Sequence, residues 1–96
     1  MTISIIDCNS IEREGLKASL NDVFNINYVG SRIDDIPLDT EFLLFLAEND
    51  FFINRRNIDF LSDNVNRDLK IVVMDRTPSL RRCVQAINLG IKGYLT

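Results

Sequence analysis

Phe42-Leu43-Leu44-Phe45-Leu46-Ala47 is the longest unbroken apolar run in the chain. It shows no alternation, and polar residues flank it on both sides. A run of this kind reads as a strand covered on both faces, as parallel strands in α/β domains are. That places it at the centre of a sheet. Open α/β sheets put their sites at the carboxyl ends of the strands, and this strand brings Leu46 and Ala47 there, followed by Glu48-Asn49-Asp50. An apolar strand end at that place is what any functional reading has to explain.

Towards the amino end, Ile3-Ser4-Ile5-Ile6 is a short β-branched run, a first strand that stops at Asp7-Cys8. Asn9 caps a helix with Glu12 as its capping-box partner, and Leu16, Leu20 and Val23 follow at helical spacing. Ile26 to Gly30 is a second strand, more polar, and so belongs at the sheet edge. Between Val29 and Phe42 the chain is short and carries Pro37, leaving Ile33 to Pro37 room for roughly one helical turn.

Towards the carboxyl end, Asn54 to Val65 carries Ile58, Leu61 and Val65 at helical spacing, and Lys70 to Met74 is a fourth strand ending at Asp75. Thr77-Pro78 starts a helix, Thr as N-cap and Pro at the first helical position, with Leu80, Val84 and Ile87 expected to face inward. Gly90 closes that helix as a left-handed cap, and Lys92 to Thr96 is a fifth strand. Strands alternating with helical segments give an α/β fold, a doubly wound five-stranded parallel sheet with right-handed crossovers.

Composition narrows the function. A chain of 96 residues is one domain, and 11 basic against 14 acidic side chains give a net charge of −3, which disfavours nucleic-acid binding by the chain alone. No apolar segment approaches the length of a membrane span, and Met1-Thr2 leads into a strand without a basic leader, so the expected location is cytoplasmic, with no membrane contact. Cys8 and Cys83 fit no metal-ligand spacing and the chain has no His, so free thiols and no metal centre are expected. A nucleotide-binding flavodoxin-like protein needs a phosphate-cradling loop after the first strand; Asp7-Cys8-Asn9-Ser10 has no glycine there, and no cofactor is expected.

Two stretches carry a resemblance. Ile3 to Ser10 with Arg13-Glu14-Gly15-Leu16, and Ala86-Ile87-Asn88-Leu89-Gly90-Ile91-Lys92-Gly93-Tyr94-Leu95, resemble the receiver domain of two-component response regulators, most nearly those that precede a LuxR-type helix-turn-helix. The resemblance implies a flavodoxin-like sheet of strand order 2-1-3-4-5, here with the second helix shortened and the family's fifth helix missing. It also implies a receiver-like domain over residues 1 to 96 that forms the N-terminal part of a longer regulator.

Receivers of the family accept a phosphoryl group on an aspartate at the end of the third strand, beside an acid pair that holds Mg²⁺, a Thr or Ser ending the fourth strand and a Lys ending the fifth. The cation and the Lys neutralise charge developing on the phosphoryl oxygens. Carried over position by position, Asp7 matches the first acid and Cys8 replaces the second. Leu46 falls at the acceptor, and Asp75 occupies the Thr or Ser position. Thr96 ends the chain one residue before the Lys, and Glu48 to Ile53 lacks the family's Pro and Gly. A leucine has no nucleophilic oxygen. The four residues Asp7, Cys8, Leu46 and Asp75 thus form a degenerate phosphorylation pocket that binds no metal and catalyses nothing. Asp7 and Asp75, if they converge without a cation, should raise one carboxylate's pKa.

The resemblance therefore implies an atypical, phosphorylation-independent receiver, not an enzyme, that acts as the regulatory or dimerising part of a transcriptional regulator. Its partners would be a second copy through a face around Arg81, Arg82, Gln85 and Tyr94, or another protein, and DNA only through an output domain outside this chain. Arg76, Arg81 and Arg82 could grip an acidic partner or anion, or be solvated charges. Two alternatives remain: phosphorylation at a shifted acid, Asp7 or Asp50, and a stand-alone flavodoxin-like protein-interaction or ligand-binding domain.

Overall fold

Parallel pairing puts the apolar run in the middle of the sheet. β3 (Phe42–Ala47) lies between β1 (Thr2–Ile6) and β4 (Lys70–Asp75), with β2 (Asn25–Gly30) outside β1 and β5 (Gly93–Leu95) outside β4. The strand order is 2-1-3-4-5 and every pair is parallel. The structure is a computed structural model that describes residues 1–47, 54–64 and 69–95. Asp50, Val65 and Thr96 lie outside the described residues.

Alternation along β3 explains why it is apolar throughout. Leu43, Phe45 and Ala47 join Ile6, Ile71, Val73, Leu61 and Ala86 on one face, while Leu44 and Leu46 join Ile3 and Ile5 on the other. The second face is covered by α1 (Ser10–Leu20) through Leu16 and Leu20. The first is covered by α2 (Arg55–Asn64) and α3 (Leu80–Asn88), together with a single 3₁₀ turn at Ile33–Asp35 that buries Ile33 and Ile36. That turn is the shortened second crossover.

The caps account for where the helices begin and end. Asn9 accepts the Glu12 amide at 3.0 Å as the N-cap of α1. The Asn54 side chain does the same for the amides of Arg56 and Asn57 in α2. At the end of α3, Gly90 adopts a left-handed φ of 81°, and the amides of Ile91 and Gly90 return to the carbonyls of Ala86 and Ile87 at 3.1 Å, which is a Schellman closure.

Three expectations fail in the helices. α3 is capped by Ser79, whose hydroxyl accepts the Arg82 amide, rather than by Thr77, whose amide is drawn to Asp75 at 3.0 Å. Starting there, the helix buries Ala86, and Leu80, Val84 and Ile87 are 82 %, 46 % and 65 % exposed instead of facing the core. Val23, expected on the buried side of α1, follows the helix end and is exposed.

Candidate functional site

Strand register assembles the site. Ile6 pairs with Phe45, and Leu46 and Ala47 pair with Met74 and Asp75, so β1, β3 and β4 release their next residues at one edge. Leu46 and Ala47 are 3 % and 0 % exposed. Both end positions of β3 are therefore sealed hydrocarbon, with no oxygen that could attack a phosphoryl group. A groove of about 450 Å³ runs beside them, lined by Glu12, Leu16, Leu46, Met74, Asp75, Arg76 and Pro78. A wider one of about 800 Å³ lies between the 3₁₀ turn and α2; it is lined by the ion pairs Arg56–Asp34 and Arg55–Asp59 and by no strand residue, so it is solvated charged surface rather than part of this edge.

Two acids remain at the edge, and each is held by an arginine. Asp7 is fully buried. Its amide donates to the Gly30 carbonyl at 2.9 Å, and its Oδ1 accepts the Asn9 amide and Arg76 Nη2, both at 3.0 Å. Arg13 Nη1 donates to the Asp7 carbonyl at 2.9 Å. Asp7 Oδ2 is buried with no hydrogen-bond partner among the described residues. Arg76 reaches past Asp7 to Glu12, donating Nη1 to Oε2 at 3.1 Å and Nη2 to Oε1. Glu12 thus spends its side chain on Arg76, not on a reciprocal capping box.

Asp75 forms the second centre. Its side chain is wholly buried, and Arg82 grips it bidentately, Nε to Oδ2 at 2.7 Å and Nη2 to Oδ1 at 3.0 Å. The Tyr94 hydroxyl donates to Oδ2 and the Thr77 amide to Oδ1. Burial alone would raise the Asp75 pKa, but the hydrogen bonds from Arg82, Tyr94 and Thr77 outweigh it and hold the carboxyl below its ordinary value. Tyr94 shifts the other way: burial and its bond to the Asp75 carboxylate raise it above the ordinary phenol range.

Of the expected pocket, Asp7, Leu46 and Asp75 do meet at one edge, while Cys8 is exposed at its margin. Repulsion between Asp7 and Asp75 is not what shifts a carboxylate there. The raised acid is Glu12, chiefly through its hydrogen bond to Asp7, and Asp75 moves down. Of the expected contact face, Arg82 and Tyr94 are turned onto Asp75, Gln85 is half-buried and Arg81 is exposed. Sequence reasoning assigned Glu12 and Arg76 no part in the pocket; a basic residue directly after a strand-end acid was the signal available.

This donor set does not fit the divalent cation that the family resemblance implies. A hard cation needs several oxygens free of other cations, whereas at this edge the carboxylates of Asp7, Glu12 and Asp75 are each bonded to a guanidinium, the Cys8 thiol is too soft a ligand, and both end positions of β3 are apolar. No group of three or more metal-ligating side chains occurs among the described residues.

No protein-family model and no curated relative matches the chain. Solved structures do. RcsB from Salmonella enterica serovar Typhimurium, bound to promoter rprA with phosphomimetic BeF₃⁻, is 20 % identical with a TM-score of 0.71 over 99 % of this chain and 58 % of its own. A CheY-like response regulator receiver domain from Methanospirillum hungatei JF-1 reaches a TM-score of 0.74 at 15 % identity over 98 % of this chain and 78 % of its own. The chain has the receiver fold. A response regulator from Thermotoga maritima agrees, with a TM-score of 0.71 at 14 % identity over 98 % of this chain and 82 % of its own. The chain spans 58 % of the length of the first of these RcsB chains. No helix among the described residues is long and apolar enough to cross a membrane.

Proposed function

We propose that residues 1 to 96 are a pseudo-receiver, a phosphorylation-independent regulatory and dimerising module at the N-terminus of a longer cytoplasmic transcriptional regulator of the LuxR type. One observation carries the reading: at the carboxyl end of β3, where a site of this fold is built, Leu46 and Ala47 are buried hydrocarbon. Signalling by contact needs no chemistry at that edge. The receiver fold and the likeness to RcsB, solved as two dimers bound to two parallel DNAs, support a regulator whose DNA contacts lie in a separate output domain.

The self-associating surface is the α3–β5 side. Arg81 and Gln85 lie on this side, and Leu80, Val84 and Ile87 add an exposed apolar stripe at helical spacing on α3, with Leu95 exposed on β5. Among the described residues β5 ends the sheet as an unpaired edge of three residues. Exposed apolar side chains beside an open strand edge favour a closed two-fold pair. Tyr94, held inward by Asp75, is fixed rather than free to swing with a phosphorylation state.

Light scattering on a size-exclusion column, run over a concentration series with and without acetyl phosphate and Mg²⁺, tests both halves of the reading. The expected result is a concentration-dependent dimer with the same association constant in both conditions. A monomer throughout, or a dimer that forms only with the phosphodonor, overturns it.

A further inference from the structure

We propose that Arg76 is a resident cation: its guanidinium bridges Asp7 and Glu12 in place of a divalent metal ion, and removing it turns the Asp7–Glu12 pair into a divalent-cation site. The inference rests on the receiver reading above for what has been replaced. Its geometric basis is independent of that reading.

Arg76 follows β4 and Glu12 lies in the first turn of α1, so the bridge joins the loops leaving two strands that flank β3. Nη2 is 3.0 Å from Asp7 Oδ1, and both terminal nitrogens bond Glu12. Two carboxylates and one guanidinium leave one net negative charge in the cluster. Asp7 Oδ2, buried without a hydrogen-bond partner among the described residues, shows that this charge is incompletely met. The guanidinium differs from a metal in being tethered and always charged. The strand-end loops are therefore tied together at any free cation concentration.

The repulsion that keeps a divalent ion out is large enough to measure. A guanidinium ~4 Å from a doubly charged ion weakens binding roughly thirtyfold even when fully screened by water. With Arg76→Met, which keeps an apolar stem along the groove, Asp7 Oδ1 and the Glu12 carboxylate lose their guanidinium and, with the unpartnered Asp7 Oδ2, become available to an ion and its waters.

The probe is Mn²⁺, read by paramagnetic broadening of backbone amide signals, with Mg²⁺-dependent melting as the second readout. In the wild type, amides from Asp7 to Arg13 should show no selective broadening, and Mg²⁺ should leave the Tm unchanged. In Arg76→Met, the same amides should broaden, with affinity at least about thirtyfold higher, and saturating Mg²⁺ should raise the Tm by about 5 °C. The double variant Asp7→Asn with Arg76→Met should lose both responses. Selective broadening at Asp7 in the wild type overturns the proposal without recourse to any variant, as does a folded Arg76→Met protein indifferent to both ions. If Arg76→Met folds only when Mg²⁺ is added, the proposal is supported. Failure here is distinguishable from failure of the receiver reading, because covalent labelling by acetyl phosphate reports on an acceptor and Mn²⁺ broadening reports on Asp7.

Discussion

Asp75 shows how a buried charge is tolerated. Four donors satisfy its two oxygens, and removing the principal one strands a carboxylate in the interior. Arg82→Ala should therefore cost about 3–5 kcal/mol in urea denaturation, whereas substitution of the exposed neighbour Arg81 should stay within about 0.5 kcal/mol. The pH dependence follows from the shifts. Because the Asp75 pKa is lowered on folding, its contribution is complete above its ordinary value of 3.8 and is lost as pH falls through the folded value. Tyr94, raised above 10.0, contributes below that pH and loses its contribution as pH rises through its folded value. Glu12, raised above 4.5, also favours the folded state most strongly when protonated, so its small effect opposes that of Asp75 as the solution is acidified. Asp75→Asn should flatten both the acid limb and the alkaline limb of a Tm-against-pH profile. Unchanged limbs would show that other groups set them. In the sequence Asp75 was legible as an acid out of place, but Arg82 and Tyr94, 7 and 19 residues further on, were not legible as its partners, because only the crossover through α3 brings them back to it.

At the scale of elements, periodicity located α3 and misassigned its faces. Leu80, Val84 and Ile87 form a true apolar stripe, yet the side turned to the sheet carries Ala86, with Cys83 and Leu89 partly covered and Arg82 directed to Asp75. A stripe in sequence says that something covers it, and does not say whether this domain or another copy does. Replacing Val84 and Ile87 together with Glu should abolish self-association while changing the unfolding free energy by less than about 1 kcal/mol, since both are exposed. A large loss of stability with the dimer intact would return these residues to the core. β3 was fully legible, because a strand buried on both faces needs an unbroken apolar run. The capping of α1 by Asn9 was legible for the same local reason, and the Asn54 side chain bonding the first α2 amides bears out the start read at that residue.

For the whole molecule, the receiver fold is present with a strand-end edge made of hydrocarbon and internal ion pairs. The sheet order required no functional residue to be legible, only the alternation of strand and helix and two family-like stretches at its ends. That edge was half legible: Leu46 and Ala47 read as an apolar strand end, while the pairing of Arg76 with Glu12, 64 residues apart, has no local signature. Leu46 is buried beside the groove, so Leu46→Asp, the residue that the receiver resemblance implies there, should destabilise the domain by about 3 kcal/mol or more through lost burial and a carboxylate placed in apolar surroundings. An unchanged melting temperature would show that the edge is still open and polar. The central claim is that this edge accepts no phosphoryl group, and intact-mass spectrometry after incubation with acetyl phosphate and Mg²⁺ tests it most directly. The account predicts an unmodified mass; a stable gain of one phosphoryl group, mapped to Asp7 or Asp50, would contradict it.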